Sequence, residues 1–312
     1  MKVGIIGAGF VGSTTAYTLA VKELVQEIVL VDINQVKAEA EALDVLHSTA
    51  LNSRCRVSYG DYADLKNADI VIVTVDSQKT LDGDRMALLS SNTQILKSIV
   101  PQIVKYAPDC IVLIATNPVD VMTKLVVKLS GFPRRRVIGS GTVLDTARFR
   151  SILSEKLENI SPKSIHAYVM GEHGKSSLVS WSSAFVGATP LDDFLSKMNL
   201  SISGEEKQKI SEDVLDAGFK IYRGKKATYY GIASSLVEIC EAIIKDERKE
   251  LMVSSLHEDV CEIKNVCLSL PTVVGRQGAI SAIEPQLSKE EKELLKHSAE
   301  AMSLAAQEAE KI

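Results

Sequence analysis

Three side chains near the middle of the chain, Asp145, Arg148 and His173, are the types that a carbonyl reduction needs. An imidazole can pass a proton to a nascent alkoxide. A carboxylate can fix the imidazole's tautomer and steady the imidazolium, and a guanidinium can hold a carboxylate by two parallel hydrogen bonds. They occur in Asp145-Thr146-Ala147-Arg148 and in Gly171-Glu172-His173-Gly174, and Thr116-Asn117-Pro118 forms a third polar cluster. Each also has a plainer reading. Asp145 suits a helix cap, Arg148 a surface ion pair, and His173 the interior of a glycine turn. Composition alone does not bring the three together.

Proton transfer of this kind is half of a redox reaction, and the first residues supply a candidate for the other half. An apolar strand over residues 3–6 runs into Gly7-Ala8-Gly9-Phe10-Val11-Gly12, and a helix-like run over 13–21 follows. In a dinucleotide-binding turn Gly7 makes the tight bend, Gly9 lets backbone approach a pyrophosphate, and Gly12 lets helix and strand pack closely. Phe10 and Val11, within the turn, are also candidates to contact the cofactor, and the helix amino terminus offers unpaired N–H groups and a positive dipole end to the phosphates. A second apolar strand, 28–31, ends in Asp32, twenty residues after Gly12. An acid there binds the two ribose hydroxyls of NAD and repels the extra phosphate of NADP. Glycine-rich turns alone are common; strand, turn, helix, strand and acid in this order point to NAD.

These side chains need a scaffold, and 312 residues are enough for two cores or one large one. An apolar content of 46% and a charged content of 24% are those of an ordinary globular protein. A net charge of −4 argues against nucleic acid or an anionic membrane as partner. No apolar run approaches a bilayer span, and the first strand starts at once, so a cytoplasmic location is expected. The five cysteines, Cys55, Cys110, Cys240, Cys261 and Cys267, contain no C-x-x-C pair and suit a reducing compartment. None lies in a ligand pattern with His173, so no metal is expected.

Residues 1–140 alternate short β-branched runs (3–6, 28–31, 55–58, 69–75, 111–115 and 136–139) with helical patterns (13–21, 36–46, 86–106 and 119–129). Six strands separated by helices predict an α/β fold with a doubly wound parallel sheet, the ligand lying beyond the strands' carboxyl ends. Residues 141–312 read as an α+β substrate domain. It has helices over 146–157, 205–222 and 227–245, and short strands over 164–169, 251–255 and 266–271. A Ser-capped helix over 288–312 closes the chain. Gly139-Ser140-Gly141 is the expected junction.

Together the motifs resemble the L-lactate/L-malate dehydrogenase family along almost the whole chain. The matching segments are 7–12, Thr116-Asn117-Pro118-Val119-Asp120, 139–150, 171–174 and Ala-Thr-Tyr-Tyr-Gly-Ile-Ala over 227–233. Gly-Glu-His-Gly is similar to the lactate dehydrogenase branch. The resemblance implies a Rossmann domain binding NAD. It makes His173 the proton donor and acceptor, oriented by Asp145, with Arg148 clamping the substrate carboxylate and Arg85 polarising the carbonyl from a mobile loop. It also implies that Asn117 hydrogen-bonds near the carbonyl, Ser140 lies near the nicotinamide carboxamide and Thr228 faces the substrate side chain. Arg150 and His166 match positions that bind fructose 1,6-bisphosphate at a subunit interface in many bacterial relatives. A homotetramer or homodimer is therefore expected.

The chain departs from this pattern after the fourth strand. Most relatives read Thr-Ala-Gly-Ala, whereas here the run is Thr74-Val75-Asp76-Ser77. Asp76 either repels a pyrophosphate or turns outward. One extra residue lies between Gln78 and Arg85, so the reader of the substrate side chain is Gln78 or Lys79. Gln goes with lactate, and a cation with a second substrate carboxylate. Lys175 stands where lactate dehydrogenases usually carry Asp. It either points to solvent or welcomes an anionic side chain. The expected activity is reduction of pyruvate to L-lactate. The alternatives are a branched or dianionic 2-oxo acid (2-oxoisocaproate, oxaloacetate, sulfopyruvate) and a weakly catalytic paralogue that binds NAD or a sugar phosphate.

Overall fold

The computed structural model describes residues 1–77 and 88–312. The first part of the chain runs β1 (Lys2–Ile6), α1 (Phe10–Val21), β2 (Glu27–Val31), α2 (Gln35–Asn52), β3 (Arg56–Gly60) and β4 (Ile70–Val73). Then come α3 (Leu89–Tyr106), β5 (Ile111–Ile114), α4 (Val119–Ser130) and β6 (Val137–Gly139). All six strands pair in parallel in the order β3-β2-β1-β4-β5-β6. This is the doubly wound arrangement, and its order reverses between β1 and β4.

The inner strands are largely apolar because both faces are covered, whereas the edge strand β3 is mostly exposed. Alternate residues go to opposite sides. In β4, Val71 and Val73 face a core with α3 and α4, and Ile70 and Ile72 face a core with α1 and α8 (Tyr230–Ile244). Turn chemistry ends the elements. Gly131 closes α4 in the left-handed conformation, φ 65°, which a residue without Cβ adopts at little cost.

The second part starts with α5 (Val143–Lys156), β7 (Ile165–Met170), β8 (Leu178–Val186), β9 (Thr189–Pro190), α6 (Leu191–Lys197) and α7 (Gly204–Lys225). After α8 it ends with β10 (Lys249–Val260), β11 (Ile263–Gly275), β12 (Gly278–Ala282) and α9 (Lys289–Lys311). β7, β8 and β9 form a small antiparallel sheet over a separate core. The expected Ser-capped final helix is present. Ser288 accepts from the Glu291 N–H, and Glu291 returns the bond to the Ser288 N–H.

Two expectations need correction. The short strands expected over 251–255 and 266–271 are the middle of a hairpin of 12 and 13 residues. Its two-residue turn is Cys261-Glu262, with both residues at positive φ (51° and 74°). Such turns usually carry Asn or Gly, so this one gave no turn signal. β10 also pairs with β6, so β10, β11 and β12 extend the first sheet to nine strands among the described residues. In addition, β8, β9, α6 and β12 were not expected. β8, Leu-Val-Ser-Trp-Ser-Ser-Ala-Phe-Val, breaks its apolar alternation with serines whose hydroxyls find partners inside the fold.

Phe149 is fully buried in α5 and meets the Trp181 ring edge-on at 4.9 Å. Phe149→Ala is expected to lower stability by about 3–5 kcal/mol, read as a reduced urea midpoint. Activity should fall with it, because the same helix carries Asp145 and Arg148.

Candidate active site

At the dinucleotide turn the glycines are placed by sterics. Gly7 has φ +106°, and a Cβ there would lie 2.8 Å from Thr74 Oγ1. A Cβ on Gly12 would stand 1.9 Å from the Gly7 carbonyl oxygen, so α1 can pack on β1 only without a side chain there. A Cβ on Gly9 would meet nothing within 4 Å, which leaves open space where a ligand's phosphates would lie. The first turn of α1 has neither an acidic residue nor a side-chain cap, so its N–H groups and dipole remain for an anion. Phe10 is exposed and Val11 half-buried. Asp32, at the end of β2, accepts from the Ala8 N–H at 2.6 Å and the Asn34 N–H at 2.8 Å. These residues fit a dinucleotide.

The chemistry-bearing side chains converge at the carboxyl ends of β4, β5 and β6. Asp145, on the first turn of α5, is not a cap. Its Oδ2 lies 2.6 Å from His173 Nδ1, and its Oδ1 accepts from the Arg148 guanidinium at 2.8 Å. The side chains of His173 and Arg148 are each 13% exposed and that of Asp145 7%, so the three groups interact with little screening by solvent.

The fold supplies this geometry through four neighbouring backbone anchors. α5 is stitched to β7 by Thr142, whose hydroxyl donates to the Val169 carbonyl, and by Thr146, whose hydroxyl accepts from the Val169 N–H at 3.0 Å. The loop after β7 is then tied residue by residue. Gly171 exchanges two backbone bonds with Ser269 of β11 (2.8 and 2.9 Å), and the Glu172 N–H donates to Ser298 of α9 at 2.7 Å. The His173 N–H donates to Asp120 of α4 at 2.8 Å. Asp120 is buried; burial pushes its carboxyl up to about 6, while the Ser254 hydroxyl and then the His173 N–H pull it down.

Asn117 follows β5. Its carbonyl accepts from Asn92 Nδ2 at 2.7 Å, and its side-chain Oδ1 is buried without a hydrogen-bond partner among the described residues. Ser140, buried after β6, donates its N–H to the Ile114 carbonyl at 2.8 Å. Thr228 is half-buried just before α8. Asp76 is exposed and accepts a long bond, 3.4 Å, from Asn92 Nδ2, while Lys175 is exposed. Gln78, Lys79 and Arg85 lie outside the described residues.

Arg150 and His166 sit on adjoining elements, α5 and β7. The Arg150 Nε donates to the Ala167 carbonyl at 3.0 Å, its guanidinium lies 5.1 Å from the Tyr168 ring centre, and His166 is exposed. Among the described residues no group of three His, Cys, Asp or Glu could hold a metal, and no helix is long and apolar enough to cross a membrane.

Sequence reasoning missed Asp120, Asn92, Ser269 and Ser298. Asp120 had a signal, because it closes the Thr-Asn-Pro-Val-Asp run already singled out. The others are ordinary polar residues whose role exists only in three dimensions.

A family model described as lactate/malate dehydrogenase, NAD binding domain, matches residues 1–139, and one described as lactate/malate dehydrogenase, alpha/beta C-terminal domain, matches 142–311. The chain belongs to the lactate/malate dehydrogenase family. It is 44% identical to an L-lactate dehydrogenase of Thermus aquaticus over 306 residues, 98% of each chain. It is also 44% identical to an L-lactate dehydrogenase of Acetivibrio thermocellus over 297 residues, covering 95% of this chain and 93% of that one. The fold matches a lactate dehydrogenase from a Medee basin deep-sea metagenome library with a TM-score of 0.94 at 38% identity, covering 99% of this chain and 98% of the other. A minor L-lactate dehydrogenase from Enterococcus mundtii matches with a TM-score of 0.93 at 34% identity, covering 98% and 97%.

Membership makes residues 1–139 an NAD-binding domain, and the glycine turn lies within it. Gly12→Ala should weaken NADH binding by at least about tenfold, measured by fluorescence titration, because the Gly7 carbonyl cannot give way to a Cβ.

Proposed function

We propose that this protein is an NAD-dependent L-2-hydroxy-acid dehydrogenase whose substrate pair is pyruvate and L-lactate. The observation that carries the reading is the Asp145 carboxylate held between His173 and Arg148 at the carboxyl ends of the strands, beside a turn built for a dinucleotide. The relatives named above support the lactate assignment. Residues 1–140 would hold NAD, and residues 141–312 would supply most of the substrate contacts, the two parts being joined through one sheet.

Bound NADH supplies a hydride to the carbonyl carbon of the 2-oxo acid. Arg148 spends one N–H on Asp145, and a guanidinium has five, so its others can grip the substrate carboxylate and set the carbonyl beside His173. With Nδ1 engaged by Asp145, His173 passes a proton from Nε2 to the carbonyl oxygen as charge develops there. Asp145 fixes the tautomer and steadies the imidazolium. Asn117 donates an Nδ2 N–H to the same oxygen. Arg85 polarises the carbonyl, Gln78 or Lys79 reads the side chain with Thr228, and Ser140 faces the carboxamide. Asp32 and the backbone of Gly7, Gly9, Phe10, Val11 and Gly12 hold the dinucleotide. In lactate oxidation every step reverses.

Two further parts of the reading concern assembly and control. The exposed apolar stripe of α2, Val36, Leu43 and Leu51, supports a homodimer or homotetramer. Arg150 and His166, on adjoining elements, are the candidates for a fructose 1,6-bisphosphate site. The thiol-bearing cysteines suit a cytoplasmic enzyme.

NADH oxidation would be followed with pyruvate, 2-oxoisocaproate, oxaloacetate and sulfopyruvate, with and without fructose 1,6-bisphosphate. Pyruvate should give the highest kcat/KM. A dianionic acid winning by more than about tenfold would bring Lys79 or Lys175 into the pocket and overturn the lactate assignment. Arg148→Lys should lower kcat/KM for pyruvate at least about a hundredfold and leave NADH affinity unchanged, because an ammonium cannot reproduce two parallel bonds.

A further inference from the structure

Asp120 is a buried acid that the proposed chemistry does not use. It lies on the first turn of α4, is 2% exposed, and directs Oδ2 to the main-chain N–H of His173 at 2.8 Å. The Ser254 hydroxyl of β10 is its other polar neighbour and, like the His173 N–H, favours the carboxylate. Burying a carboxylate is costly, and these two groups offset the cost. One of them is the backbone nitrogen of the residue whose ring meets Asp145. His173 is therefore held twice, by Asp120 at its backbone and by Asp145 at its ring.

We propose that Asp120 is a positioning residue for His173. Its carboxylate fixes the backbone of the loop after β7 so that the imidazole lines up with Asp145, and its buried negative charge favours the protonated ring. The groups that face it and titrate are His173 and Glu172 from that loop and Cys267 from β11. Glu172 is bound to Ser176 through its own carboxylate, and burial pushes the Cys267 thiol far up. The inference rests on the reading of His173 as proton donor.

The sign of the effect follows. Reduction uses the protonated ring, so its rate falls as pH rises through the imidazole's titration. Removing a nearby negative charge disfavours the imidazolium and moves that fall to lower pH. The conservative amide keeps a carbonyl that can accept the same N–H, so geometry and charge can be tested separately.

The test uses the full-length protein, with kcat, KM, NADH affinity and the pH dependence of kcat/KM measured for wild type, Asp120→Ala and Asp120→Asn. Asp120→Ala should lose at least about tenfold in kcat with NADH affinity unchanged. Asp120→Asn should return to within about threefold of wild-type kcat at the acid end. Its alkaline limb should fall at a pH lower by about half a unit or more. A folded Asp120→Ala with wild-type kcat would overturn the proposal, as would an Asp120→Asn limb that does not move. If the alanine variant does not fold, the limb of the asparagine variant decides alone. Wild-type protein inactive on every 2-oxo acid would instead sink the reading of His173.

Discussion

One carboxylate divided between an imidazole and a guanidinium organises this site. Asp145 gives Oδ2 to His173 and Oδ1 to Arg148, so the distance between the proposed proton donor and the proposed anion clamp is set by the width of a single carboxyl group. A 2-oxo acid has its own carboxylate and reacting carbonyl on adjacent carbons, and a matching pair of groups must be spaced as rigidly. Charge-assisted bonds of this kind contribute about 1.5–3 kcal/mol each, and the low exposure of all three side chains keeps them from being screened.

The rest of the fold keeps that carboxylate and its partners in register. Asp145 and Arg148 share one turn of α5, so their spacing is a property of the helix. His173 comes from a loop, which is the weaker support. The protein compensates by tying three consecutive residues of the loop to three elements, β11, α9 and α4. Since β11 belongs to the same sheet as the strands of the dinucleotide half, the loop of the proposed proton donor and the glycine turn are anchored to one sheet. The hydride and the proton must reach adjacent atoms of the substrate, and a shared sheet is a direct way to hold their sources at a fixed separation.

Much of this was legible in the sequence because it rests on local rules. The inner strands of the parallel sheet are apolar runs, Gly7 and Gly12 sit where a Cβ has no room, and Ser288 and Glu291 announce the last helix. What was hidden depends on distant partners. The Cys261-Glu262 turn carries no residue that favours positive φ, so the hairpin appeared as two short strands. The serines of β8 disguise a strand because their hydroxyls are satisfied by groups far along the chain, such as Glu291. Asp145 read equally well as a helix cap until His173 and Arg148 were placed against it. Asp120 stood in a recognised motif, but no spacing rule says that an aspartate on α4 meets a backbone nitrogen 53 residues later.

The most direct test of the account is the Asp145→Asn variant, assayed for pyruvate reduction beside an NADH titration. An amide keeps the shape but replaces one acceptor by a donor, so the His173 tautomer and the Arg148 contact cannot both survive. The account predicts a loss of at least about a hundredfold in kcat/KM with NADH affinity and melting temperature near those of wild type. A variant that retained kcat/KM within about threefold would contradict it, because the shared carboxylate would then not be what holds proton donor and anion clamp together.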